Sequence, residues 1–229
     1  MNKLNTSLAA VMLVSAAFAG NVSAIYLNDD AGVTVSLGPT MVAEPFENQT
    51  TAISLANAID ADSPATIETH VSPTTHVWYD MNDVRNGGLP LELIFNLGAE
   101  YDLTELHFWN YHTEAFDVDE INFSFFTAAM GLVGTLDFFP TIGVGVNQEA
   151  QDYLLSFPAR VQFVNAKFSG TNGQVDFNNV GFTGELNECE INPSLPQCQT
   201  GGGGVPVPGT VLLIGLGIAG IRYQRRARA

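Results

Sequence analysis

The sequence predicts an all-β protein, an antiparallel β-sandwich of jelly-roll type. Three observations carry the prediction. After Gly88 the apolar residues recur with period two, and the segments that carry them are rich in aromatic and β-branched side chains. No stretch of this region keeps helical spacing for three turns. Turn formers, among them Gly131, Pro140, Gly143, Pro158, Gly170 and Gly173, cut it into short pieces at regular intervals.

In chain order, residues 1–24 read as a signal peptide. Lys3 supplies the charged start, Leu8 to Ala19 the apolar stretch, and Val22 and Ala24 the small residues before a cut near Ile25. The domain is expected over residues 25–186. Residues 25–51 are irregular apart from a short alternation at Val33, Val35 and Leu37, and residues 55–88 read as loops. Strands are expected at 91–98, 103–111, 118–126, 132–139, 153–157, 160–168 and 175–183.

About 180 residues remain once both terminal signals are set aside, enough for one well-packed domain. Residues 25–204 hold all 24 acidic side chains against Arg85, Arg160 and Lys167, a net charge of −21. Such a surface repels nucleic acid and anionic membranes, and leaves cations and neutral sugars as partners.

Residues 187–204 form a stalk. Cys189 and Cys198 flank an eight-residue loop, and an exported chain meets an oxidising compartment, so a local disulfide is expected. Gly201 to Gly204 then form a flexible linker.

Residues 205–229 have three parts: a Pro-punctuated entry, the uncharged apolar run from Val211 to Ile221, and a basic end with Arg222, Arg225, Arg226 and Arg228. Clustered Arg after an apolar run stays on the cytoplasmic side of a membrane. Eleven helical residues rise about 16 Å against a hydrocarbon core of about 30 Å, which suits a transmembrane helix that is held only transiently. This tail resembles the PEP-CTERM sorting signal of exosortase-processed bacterial proteins. Val205, Pro206, Pro208 and Thr210 fit its motif, while Val207 stands in place of the usual Glu. The resemblance implies that exosortase is a partner, that cleavage falls near Pro206 to Thr210, and that the protein passes from the inner membrane to the cell surface or extracellular matrix of a Gram-negative bacterium.

Residues from about 54 to 185 resemble galactose-binding-like, discoidin-type sandwiches. Ala58, Asp60, Asp62 and Thr66 approximate that family's opening loop, with Ala61 where Gly is usual. Leu93 to Gly98, Tyr101 to Trp109, Ala159–Arg160 and Asn178 to Phe182 match later elements. The resemblance implies a Ca²⁺ held by Asp60, Asp62 and Thr66, with Asn179 adding an oxygen; hard cations prefer such oxygen clusters. A solvated acidic loop explains the same residues.

Trp78 and Tyr79, in a polar loop, could stack on a sugar ring, with Arg85 meeting its hydroxyls. Trp109, inside an apolar strand, is expected in the core. Asp117, Asp119 and Glu120 form a second acidic cluster; alternation places Asp117 and Asp119 on one strand face, which an outward, solvated face explains equally well. His70, His76, His107 and His112 show no metal-ligand spacing, and no nucleophile or phosphate-loop motif is present. The reading is therefore a non-enzymatic, exported surface or matrix protein that binds extracellular polysaccharide. The alternatives are a polysaccharide-active hydrolase and a structural surface protein without a specific ligand.

Overall fold

The computed structural model describes residues 23–41, 55–70, 75–84, 86–156, 159–195 and 198. The strands are β1 (Ile25–Leu27), β2 (Thr34–Leu37), β3 (Glu68–Thr69), β4 (Val77–Asp80), β5 (Leu91–Asn110), β6 (Glu120–Phe126), β7 (Leu132–Phe138), β8 (Asn147–Gln148), β9 (Gln151–Leu154), β10 (Val161–Ser169) and β11 (Gln174–Leu186). A one-turn helix, α1 (Glu188–Ile191), follows, capped by the Asn187 side chain.

The 20-residue β5 organises the fold. Its first half pairs with β2 on one edge and β10 on the other, and β10 leads on to β6 and β7. Its second half pairs with β9 on one edge and β11 on the other. The far edge of β11 is shared by β4 and β1. Every pairing is antiparallel, and one hydrogen-bonded ladder thus supplies both layers of a sandwich-like fold. Two separate strands were expected where β5 runs. They run on as one strand through Gly98, at φ +82°, where the register against β10 shifts between Asn96 and Tyr101. Tyr101 is then paired with both Val161 and Leu186.

Alternation along β5 changes phase once. Leu91, Leu93, Phe95, Leu97, Tyr101 and Leu103 enter the core, and then Leu106 and Phe108 do. The switch is a bulge: Leu103 pairs with Gly184 and Glu105 with Thr183, leaving Thr104 extra. A second bulge leaves Asn178 extra between Phe177 and Asn179. Core contacts of Val175 and Phe177 on one side, and of Val180 and Phe182 on the other, show the same change of phase. At the centre Phe168 and Phe177 stack with ring centroids 4.7 Å apart.

The two bulges send Glu105, His107 and Trp109, and likewise Asp176 and Asn179, away from this core. Residues 57–66 cover part of that outer face. The Ala58 carbonyl accepts from Val180 N at 2.8 Å, and the Thr66 carbonyl accepts the Trp109 indole N–H at 2.9 Å. Trp109 is fully buried, as expected, but beneath this loop, outside the central cluster. β4 lies where loop was expected, because a strand of four residues among Thr and His carries too short an alternation to read. The Cys189–Cys198 disulfide is formed. Among the described residues no helix is long and apolar enough to cross a membrane. The leader, and the tail with Val205, Pro206, Pro208, Thr210, Arg222, Arg225, Arg226 and Arg228, lie outside the described residues.

Candidate functional site

The three side chains expected to meet a ligand are not placed alike. Trp78 is half-buried on β4 and registered with Asp176 of β11, so both side chains leave the same face of the sheet. Tyr79 points the opposite way and belongs to the core, which corrects its expected place on a polar surface. Its hydroxyl donates to the Leu89 carbonyl at 3.2 Å, and burial, with Asp83 and Asp80 nearby, pushes its pKa up to about 12. Arg85 lies outside the described residues.

Of the expected calcium ligands, Asp60 and Asn179 meet directly. The Asn179 amide donates to Asp60 Oδ1 at 3.0 Å, while its oxygen accepts from Ala61 N at 3.1 Å. That oxygen is thus spent on the backbone, and Asn179, fully buried, ties the loop to β11. Burial raises the Asp60 pKa, the Asn179 bond lowers it, and Asp29 and Asp62 raise it further. The Thr66 hydroxyl accepts from Ser63 N at 3.0 Å, and Asp62 is exposed.

A constellation that no spacing revealed lies beside Trp78. His70 follows β3, His76 precedes β4, and Asp176 sits on β11. His70 Nε2 is 3.4 Å from Asp176 Oδ2, and His76 Nε2 is 3.5 Å from Asp176 Oδ1. The two imidazoles stack with centroids 3.7 Å apart. The bulged Asn178 places its oxygen 3.3 Å from His70 Nδ1. Tyr111 lies 4.0 Å from the His70 ring, centroid to centroid, and His112 lies 6.2 Å from it. Burial raises Asp176 to about 6, against the opposing hydrogen bond and charge of His70. Asp176 is about a hundred positions from the histidines in sequence, and only the β4–β11 pairing unites them.

The β5 bulge builds another arrangement. His107, 1% exposed, places Nδ1 2.7 Å from Asp152 Oδ1 and Nε2 2.8 Å from the Thr183 hydroxyl. Acid, imidazole and hydroxyl in line are the order of a nucleophilic triad. Here, however, Thr183 is paired on both edges, with Glu105 and with Tyr26. Its surrounding backbone is committed to the ladder and is not arranged to receive an oxyanion. The line holds β9, β5 and β11 together.

The expected outward pair is also revised. Asp117 precedes β6 and is buried, with Oδ1 lacking a hydrogen-bond partner among the described residues. Burial, then Asp119 and Glu114, push its carboxyl up to about 6.

No family model matches the chain, and no curated protein matches it. Among solved structures, an F5/8 type C domain from Bacteroides fragilis is 13% identical, with a TM-score of 0.49, covering 73% of this chain and 99% of that one. The family 32 CBM of NanJ from C. perfringens, solved with galactose, is 14% identical, with a TM-score of 0.40, covering 69% and 99%. The lectin domain of lectinolysin, solved with Lewis B antigen, is 10% identical, with a TM-score of 0.42, covering 66% and 89%. Likeness at this level indicates no ligand for the present chain.

Proposed function

We propose that this chain is an exported, non-catalytic β-sandwich that binds glycan. It is delivered by exosortase processing near Pro206 to Thr210 to the cell surface or extracellular matrix of a Gram-negative bacterium, and touches the membrane only during sorting. The observation that carries the binding reading is Trp78. Its indole is part-exposed on the outer face of β4, in register with the buried Asp176 of β11. Part-exposed aromatic surface next to hydrogen-bonding groups is the chemistry that holds a sugar ring. The acidic domain is suited to neutral rather than anionic polymer.

A glycan array probed with the wild-type chain and with Trp78→Ala tests the reading. Binding to a defined set of glycans that disappears in the variant supports it. Binding that is the same in both would move the site elsewhere. Release of reducing ends from a polysaccharide by the purified chain would favour a hydrolase over binding alone.

A further inference from the structure

We propose that His70, His76 and Asp176 form a binding site for a divalent transition-metal ion such as zinc. This inference does not rest on the glycan reading, although Asp176 lies beside Trp78 in both. One ligand atom from each of the three side chains can be chosen so that all lie within 4.8 Å of one another. The side chains are only 7–8% exposed.

Two ring nitrogens converge on one carboxylate: His70 Nε2 lies 3.4 Å from Asp176 Oδ2 and His76 Nε2 lies 3.5 Å from Oδ1. Oδ1 has no hydrogen-bond partner among the described residues, and the carboxylate group is buried. One divalent cation satisfies all three donors together.

The spacing is within reach of an ion. Tetrahedral zinc with ligands at about 2.0–2.1 Å places neighbouring ligand atoms about 3.3 Å apart. One atom from each of the three side chains lies within 4.8 Å of the others, so small side-chain adjustments close the set around a metal. Two imidazoles and a carboxylate suit zinc and its first-row neighbours, whereas calcium and magnesium take all-oxygen shells. Three protein donors leave a fourth position for water or an oxygen of a ligand. The His70–Asn178 contact is the outer-shell bond that fixes which ring nitrogen faces a metal.

The full-length chain, stripped with a chelator, is titrated calorimetrically with Zn²⁺. One equivalent is expected to bind. Affinity should fall at least about a hundredfold in His70→Ala, His76→Ala and Asp176→Asn, about tenfold in Asn178→Ala, and stay unchanged in His107→Gln. Co²⁺ in place of Zn²⁺ should give the intense visible bands of a four-coordinate centre. Should the variants not fold, imidazole NMR of the wild type decides, since Zn²⁺ should shift the His70 and His76 resonances and leave those of His107 in place. No stoichiometric binding, equal affinity in all the variants, or His70 and His76 resonances indifferent to Zn²⁺ would each overturn the proposal.

Discussion

Asn179→Ala separates two roles for one side chain: a ligand for calcium, or a staple for the loop over β11. The structure supports the staple. Truncation removes the acceptor of Ala61 N and the donor to Asp60, from a residue with no exposure. An unpaired buried N–H costs about 1–3 kcal/mol, and the bond to the exposed, easily hydrated Asp60 adds about 0.5–1 kcal/mol. The expected loss is about 2–4 kcal/mol, or a fall in Tm of roughly 5–15 °C for a domain of this size. Thermal and urea unfolding in the presence of chelator measure it. Asn179→Asp keeps the acceptor but sets a carboxylate against Asp60, so it should also be destabilised at neutral pH and recover as Asp60 is protonated. A wild-type Tm for Asn179→Ala in chelator, together with loss of a Ca²⁺-dependent stabilisation seen in the wild type, would refute the staple and restore the ligand.

Three further predictions follow from the same structure. Asp117 titrates near 6 when folded and at about 3.8 when unfolded, so it weakens the fold above pH 6, and that penalty fades as pH falls towards 4. Asp117→Asn should therefore gain about 1–2 kcal/mol at pH 7.5 after screening, and little at pH 4, in urea titrations at the two pH values. Gly98→Val should cost about 1–2 kcal/mol in Tm-derived stability, because φ is +82° there; the nearest atom to an added Cβ is 3.8 Å away, so the cost is conformational rather than steric. Arg160→Gln removes the 2.8 Å partner of the buried Glu100, whose other oxygen holds Ala128 N, and should cost about 1–3 kcal/mol in urea unfolding at neutral pH.

The strands from β5 onwards were legible because each buries one face and so repeats apolar residues at every second position. Leu91 to Leu97 and Val164 to Phe168 show this plainly. Bulges break that signal, since Thr104 and Asn178 each shift the phase by one residue, and nothing local in the sequence marks which residue is extra. Short edge strands such as β4 give only two inward positions, Val77 and Tyr79, too few to distinguish from a loop. Tyr79 was therefore assigned to a surface, whereas Trp78, its neighbour, reaches the outer face. Candidate ligands close in sequence, such as Asp60 and Asp62, were easy to notice. His70, His76 and Asp176 were not, because their proximity arises from pairing between strands far apart in the chain. The leader and the tail were read from composition and order of parts, which need no tertiary contact.

In the proposed function, Trp78 is where glycan meets this protein. The chain has two tryptophans, and Trp109 is fully buried, so iodide quenching reports almost entirely on Trp78. Saturation with a glycan found to bind should shield that indole and reduce quenching severalfold. Quenching that is unchanged at saturating glycan would place the sugar elsewhere and contradict the account.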